Sequence, residues 1–104
     1  MASLALNARQ VSQSLADLNS GLTAPWVADR QRICKDFVFG DFRQALAFMV
    51  AVGEYAEALD HHPEWRNVYN RVWIELTTHS TGGLTELDFA LAQRIEDVHQ
   101  SMRM

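Results

Sequence analysis

The apolar residues of the N-terminal segment recur at helical spacing. They are separated by steps of three or four residues and fall at Leu4, Ala8, Val11, Leu15, Leu18 and Leu22. This spacing places them along one side of an α-helix. Because Gly21 and Pro25 interrupt the pattern, we expect this first helix to end near Asn19.

The next segment has the composition of β-strands, since residues 26–39 are rich in aromatic and branched side chains. We predict a short strand that starts at Trp26, a turn at residues 29–31 and a second strand that runs through Phe39.

A wide apolar face then predicts a second helix. Its members are Phe42, Ala45, Leu46, Met49, Val52, Gly53, Ala56 and Leu59. Asp41 is a suitable N-cap for this helix, and Pro63 must end it. A proline disfavours helical geometry in the preceding residue, so we expect His62 to be extended already.

The remaining chain predicts further strands and a last helix. Residues 65–78 favour strands, with alternate apolar side chains on one face. The pattern leaves open whether residues 69–71 form a turn between two strands or a bend in one. Thr85, with Asp88 three residues later, is typical of a helix start. The apolar stripe of that helix is Leu87, Leu91, Ile95, Val98 and Met102.

The predicted order is therefore helix, strand, strand, helix, strand, strand, helix. Consecutive strands favour antiparallel pairing, and helices must cover an apolar sheet face. We predict an α+β fold in which three helices pack on one face of a four-stranded antiparallel sheet. The length of 104 residues, without a repeat or linker, predicts a single domain over residues 1–104.

Composition and charge narrow the classes of function. A net charge of −4 disfavours binding to nucleic acid or to an anionic membrane surface. No run approaches the roughly 18 apolar residues of a spanning helix, and residues 1–10 lack a signal-peptide pattern. The single cysteine, Cys34, cannot form an internal disulfide, and we expect it to be buried. We predict a cytoplasmic protein with no nucleic-acid or membrane partner.

Three of the four histidines, His61, His62 and His79, are the candidate chemical groups. Glu57 precedes His61 by four residues, which predicts that the two share a helical face. If the strand before His79 returns across the sheet, His79 approaches the other two. Histidine exchanges protons near neutral pH, so the set favours general acid–base catalysis.

Other interpretations of these residues stay open. A His-His pair before a proline is also typical of a solvated helix end. A metal site on Glu57, His61 and His79 is a second alternative, but no HExxH or CxxC pattern occurs, and we predict no metal. Trp26, Trp65 and Trp73 suit either the core or an aromatic wall for a flat ligand. His99 lies off the last apolar stripe, and we expect it to be exposed.

Several motifs in the second half of the chain occur in a fixed order. They are Glu57-Ala-Leu-Asp-His-His-Pro63, Trp65, Val68-Tyr-Asn70, Leu76-Thr-Thr-His79 and Gly83-Leu-Thr-Glu-Leu-Asp88. Together they resemble the signature of the pterin-4a-carbinolamine dehydratases, over roughly residues 20 to 100. The double histidine alone is a weak signal, whereas the combined spacing of His61, His62 and His79 is specific.

The resemblance implies a function. Members of that family remove water from a 4a-hydroxytetrahydropterin, which forms when aromatic amino-acid hydroxylases consume their pterin cofactor. The product is a quinonoid dihydropterin that a reductase recycles. We therefore expect a pterin substrate, a functional link to an aromatic amino-acid hydroxylase, a homodimer or homotetramer, and no cofactor.

The resemblance also implies site residues. His61 and His62 are expected to act as acid–base groups at the hydroxyl, and His79 to bind substrate or relay a proton. The expected supporting residues are Glu57, Asp60, Pro63, Asp88 and Trp26. Some relatives carry a basic residue at the position of Leu87, so any contact it makes is missing here. Other members stabilise a transcription-factor dimer, which makes a non-catalytic protein-binding module the alternative.

Overall fold

The computed structural model of the chain describes residues 4–103, and the other residues of the predicted domain 1–104 lie outside that range. The helices are α1 (Ala8–Asn19), α2 (Phe42–Leu59) and α3 (Glu86–Met102), with a short 3₁₀ helix at His79–Thr81. The strands are β1 (Val27–Asp29), β2 (Arg32–Val38), β3 (Glu64–Val68) and β4 (Arg71–Leu76). The predicted α+β fold and its element order are confirmed.

Two hairpins build the sheet. β1 pairs with β2 and β3 pairs with β4, all antiparallel, and the strand order is β1-β2-β4-β3. The central register places Phe37 opposite Val72. Tyr69 adopts a φ of 50° and forms, with Asn70, the connection between β3 and β4. The segment that the sequence left open is therefore a turn between two strands.

One face of the sheet carries the core. Its buried side chains are Ile33, Phe37, Val72, Ile74 and Leu76 from the central strands, against Phe48, Val52, Leu91 and Ile95 from the helices. The ring centroids of Phe37 and Phe48 lie 5.0 Å apart. Burial of each large apolar side chain contributes about 1.5–3 kcal/mol. Cys34 is also buried, as predicted, and burial raises the pKa of its thiol.

α1 is fixed at both ends by side-chain amides. Asn7 and Gln10 each accept a hydrogen bond from the other's backbone N–H, which forms a capping box. Leu4 precedes the helix and is 86% exposed, so the helical stripe starts later than the sequence pattern. The helix ends at Asn19 as predicted. The Asn19 side chain binds both backbone groups of Trp26 and so fixes the entry into β1.

The apolar face of α2 is wider than the part of it that packs into the core. Asp41 caps its first turn as predicted, by accepting from the backbone N–H of Gln44. Its fully buried residues are Ala45, Phe48, Val52 and Ala56, and Met49 and Leu59 pack against the edge of the core. Phe42 and Leu46 of the predicted apolar face are exposed by 45% and 47%, and Val50 by 61%. We call these three side chains, which repeat every four residues, the α2 surface stripe.

A charged pair lies inside the core. The Lys35 amine is 2.6 Å from Glu96 Oε2, and the indole N–H of Trp26 donates to the same oxygen at 2.8 Å. The Lys35 and Glu96 side chains are 6% and 7% exposed. Alternation along β2 places Lys35 on the core face beside Phe37, and Glu96 supplies the charge that balances it. We call this contact the Lys35–Glu96 pair.

The expectation that His99 is exposed is wrong. Its ring is half-buried, and its centroid lies 5.1 Å from that of Phe37, 5.8 Å from Phe39 and 6.2 Å from Phe48. Burial lowers the pKa of the His99 imidazole. This histidine therefore serves as an aromatic packing group, away from the other three.

Candidate active site

The backbone at the end of α2 directs the side chains of two adjacent histidines to different environments. Asp60 adopts a left-handed conformation, with φ 50° and ψ 44°, so the helix stops at Leu59. The backbone N–H of His61 then donates to the Ala56 carbonyl at 3.0 Å and closes the last turn. As a result the His61 side chain is buried, with 8% of the residue exposed, whereas His62 is exposed.

The side chain of His61 contacts a buried carboxylate. The Nε2 atom of His61 lies 2.6 Å from Oδ1 of Asp88, a residue with no exposed surface. The other oxygen, Oδ2, accepts from the Thr78 hydroxyl at 2.8 Å and from the Thr85 backbone N–H at 2.9 Å. A buried charge requires such partners. Asp88 thus caps α3 and at the same time holds the imidazole of His61.

The predicted shared helical face of Glu57 and His61 is wrong. The helix ends at Leu59, so His61 no longer follows the helical spiral that would bring it back to Glu57. The Glu57 carboxylate lies instead 3.5 Å from Nε2 of His62. Both side chains are more than half exposed, so this contact contributes little energy and leaves His62 free to meet a ligand.

His79 is brought to the same end of the sheet by β4. Its Nε2 lies 3.0 Å from Oε1 of Glu64, the first residue of β3, which follows His62 and Pro63 directly. On its other side, His79 follows Thr78, whose hydroxyl binds the carboxylate that holds His61. The structure therefore places His79 between the segment that carries His62 and the partner of His61.

The remaining predicted site residues have varied positions. Asp60 is exposed, and its contribution to the arrangement is its backbone conformation. Pro63 is half-buried and separates His62 from β3. Trp26 is only 1% exposed, with its indole N–H on Glu96, so it lies in the core and offers no wall to a ligand in this arrangement.

A cleft of about 870 Å³ opens beside His79. Its other walls are Asp29, Arg30, Gln31, Arg32, Glu75, Thr77 and Gly82. Arg32 binds both Glu64 and Glu75 across the rim. Hydrogen bonds from Trp73 and Arg32 lower the pKa of the Glu75 carboxyl. The rim beside His79 thus carries paired charges.

Three polar residues of this corner were not predicted as site residues: Glu64, Thr78 and Thr85. A signal for Thr78 existed, because it continues the buried alternation of Val72, Ile74 and Leu76. A hydroxyl on a core face must find a partner. Glu64 gave no such signal, because its partner His79 is distant in the sequence.

The three residues named as possible metal ligands each face a different partner in the structure. Glu57 faces His62, His61 faces Asp88, and His79 faces Glu64. Within residues 4–103 no three histidine, cysteine or acidic side chains are grouped as metal ligands. Over the same range no helix is long and apolar enough to cross a bilayer.

The fold and the corner define an α+β protein with imidazole and carboxylate groups at one end of its sheet. The chain belongs to the pterin-4a-carbinolamine dehydratase family: the family model described as "Pterin 4 alpha carbinolamine dehydratase" matches residues 5–98. This membership confirms the resemblance seen in the motifs and supports a carbinolamine dehydratase role.

Two bacterial relatives agree with the family. The chain is 51% identical over 79 residues to a "Putative pterin-4-alpha-carbinolamine dehydratase" of Dinoroseobacter shibae, covering 74% of this chain and 81% of the relative. A protein of the same name from Synechococcus sp. strain WH7803 is 48% identical over 84 residues, covering 81% and 90%.

Solved structures share the fold. The transcriptional coactivator/pterin dehydratase of Brucella melitensis superposes with a TM-score of 0.81 at 41% identity, covering 90% of this chain and 97% of that one. A pterin dehydratase-like protein identified as a RuBisCO assembly factor in the alpha-carboxysome gives a TM-score of 0.60 at 24% identity, covering 75% and 90%. The second likeness concerns the fold alone.

Proposed function

We propose that this chain dehydrates 4a-hydroxytetrahydropterins by histidine general acid–base catalysis. The buried contact between His61 and Asp88 carries the proposal. A carboxylate that fixes a catalytic imidazole is a recurring arrangement in enzymes that move protons. His62 follows His61 in the chain, and His79 follows Thr78, which binds Asp88. Both rings are exposed, which suits groups that must touch a ligand.

The reaction requires two proton movements. The hydroxyl on C4a must accept a proton before it leaves as water, and the neighbouring ring nitrogen must lose one as the new double bond forms. In this proposal His61 and His62 act at the hydroxyl, and His79 binds the substrate or relays a proton. Glu57 and Glu64 place a carboxylate beside His62 and His79, respectively. These steps use side chains alone.

The biological setting follows from this chemistry. A 4a-hydroxytetrahydropterin is the product of aromatic amino-acid hydroxylation, so the enzyme would regenerate the oxidised pterin for a reductase. We propose a cytoplasmic location and a functional link to such a hydroxylase. The free thiol of Cys34, the chain's single cysteine, is consistent with a reducing compartment.

The test is the dehydration of a freshly generated 4a-hydroxytetrahydropterin, followed by its ultraviolet change. We expect His62→Ala and His79→Ala each to lose about 10²–10⁴-fold in rate, the usual contribution of an acid–base group. His99→Phe is the matched control, because it removes the fourth imidazole from an aromatic pocket outside the site. Circular dichroism checks that each variant folds. A wild-type rate equal to that of buffer would refute the proposal.

We also propose that the chain forms homo-oligomers through the α2 surface stripe. Phe42, Leu46 and Val50 form one continuous apolar line, which suits pairing with the same helix of a second copy. Leu46→Glu is expected to shift the particle mass toward the monomer in light scattering after size-exclusion chromatography. Ala16→Glu, which introduces the same charge at an exposed residue of α1, is expected to leave the mass unchanged. A wild-type monomer at micromolar concentration contradicts this proposal.

The alternative function, a non-catalytic protein-binding module, would use the same stripe. The Brucella relative is described as a coactivator as well as a dehydratase, which keeps this alternative relevant. The two are separated by the assays above. An inactive wild-type chain whose stripe is free in solution favours the binding module.

A further inference from the structure

The contacts behind Asp88 form a chain of hydroxyl groups whose hydrogens can be placed by elimination. Thr78 Oγ1 lies 2.8 Å from Asp88 Oδ2 and 2.8 Å from Thr85 Oγ1. A threonine hydroxyl carries one hydrogen, and an oxygen of an ionised carboxylate can only accept. The single hydrogen of Thr78 therefore goes to Asp88.

The direction of the next bond follows. Since Thr78 has used its hydrogen, the contact between the two threonines must have Thr85 as the donor. Thr85 Oγ1 in turn accepts from the backbone N–H of Leu87 at 3.2 Å. The chain therefore runs in one direction, from the first turn of α3 through both hydroxyls to Asp88.

The same reasoning determines which nitrogen of the His61 imidazole carries a hydrogen. Asp88 Oδ2 is occupied by two donors, the Thr78 hydroxyl and the Thr85 backbone N–H. These bonds fix the carboxylate plane so that Oδ1 faces Nε2 of His61 at 2.6 Å. With Asp88 as an ionised carboxylate, Oδ1 can only accept, so Nε2 of His61 carries a hydrogen. The nitrogen that remains available for proton transfer is Nδ1.

We propose that Thr78 and Thr85 are positioning residues that hold Asp88 against His61, so that His61 exchanges its proton through Nδ1. The inference deepens the proposed dehydratase function and rests on it for its catalytic meaning. Thr78 and Thr85 are 7% and 0% exposed and therefore act through Asp88 without touching the substrate. The arrangement sets one tautomer of the ring before substrate arrives, which is how a positioned carboxylate assists a catalytic histidine.

The first measurement concerns the ring and needs no substrate. In ¹⁵N-labelled full-length protein, long-range ¹H–¹⁵N correlation spectra identify which nitrogen of each neutral imidazole carries the hydrogen. Comparison with His62→Ala, His79→Ala and His99→Phe assigns the signals of His61. We expect the Nε2–H tautomer in the wild type. Observation of the Nδ1–H tautomer there overturns the proposal, whatever the variants do.

The second measurement compares Thr78→Val, which removes the hydroxyl at similar volume, with Thr78→Ser, which keeps it. Thr78→Val is expected to lower kcat for dehydration about 10- to 100-fold, the range for one lost hydrogen bond to a charged group, with KM little changed. Its His61 signals should show mixed tautomers. Thr78→Ser should keep both the wild-type rate and the single tautomer.

The outcomes separate this inference from the proposed function. If Thr78→Val folds and keeps both the wild-type kcat and the single tautomer, the positioning role is refuted. If Thr78→Val shows the expected mixture of tautomers while the wild type shows no dehydration, the positioning role is supported and the proposed reaction is refuted. If Thr78→Val does not fold, the wild-type spectrum still decides which nitrogen carries the hydrogen.

Discussion

Asp88→Asn is expected to lower kcat for pterin dehydration by about 10²–10⁴-fold, by analogy with amide replacement in other carboxylate–histidine pairs. Both groups that face Oδ2, the Thr78 hydroxyl and the Thr85 backbone N–H, are donors. The amide oxygen must therefore occupy the Oδ2 position, which turns the NH₂ group toward His61. That imidazole would then have to accept at Nε2 and carry its hydrogen at Nδ1, the wrong tautomer for the proposed reaction.

The measurement is the steady-state rate by ultraviolet absorbance, with circular dichroism and urea unfolding as checks of the fold. Asp97→Asn is the matched control, because Asp97 lies on the same helix, is exposed, and contacts only surface side chains among the described residues. It should keep the wild-type rate. A folded Asp88→Asn protein with full activity would show that His61 works without its carboxylate, and the mechanism would have to move to His62 and His79.

Glu96→Gln is expected to reduce the free energy of unfolding by about 3–5 kcal/mol, the cost of leaving one member of a buried ion pair without its partner. The substitution changes little volume and leaves an oxygen for the indole N–H of Trp26. The loss therefore comes from the uncompensated ammonium of Lys35, which is 6% exposed. Urea unfolding measures this loss, and an unchanged slope would show that the denatured state is unaffected.

The double variant Lys35→Met/Glu96→Gln decides the cause. Replacement of both charges by neutral groups of similar size is often neutral or stabilising, so we expect the double variant to recover most of the loss. Glu54→Gln on the surface of α2 should change stability by no more than about 0.5 kcal/mol. If the double variant is as unstable as the sum of its single variants, lost packing rather than unpaired charge is the cause.

Local chemistry allowed most of the fold to be predicted from the sequence. Asp41 and Thr85 start their helices where the N-cap preference placed them, and α1 ends at Asn19. The alternation in β4 identified its buried face, because successive strand residues point to opposite sides. Each of these features depends on neighbours within a few positions in the chain.

The site was less accessible to prediction because its contacts join distant parts of the chain. The partner of His61 lies 27 residues away, and the partner of Lys35 lies 61 residues away. Alternation tells which face a side chain occupies but not what it meets there. The error at Glu57 had a local cause: the helix stops before His61, and the left-handed residue that stops it carries no glycine or asparagine signal.

The left-handed backbone at Asp60 limits which residues related sequences can carry at this position. Glycine adopts that conformation freely, and asparagine and aspartate adopt it more readily than other residues, whereas a β-branched residue is a genuine outlier there. Valine or isoleucine at position 60 would strain this left-handed turn and disturb the backbone that directs the His61 ring toward Asp88. A related sequence with such a residue at this position would therefore be expected to have changed its chemistry even if every histidine were retained.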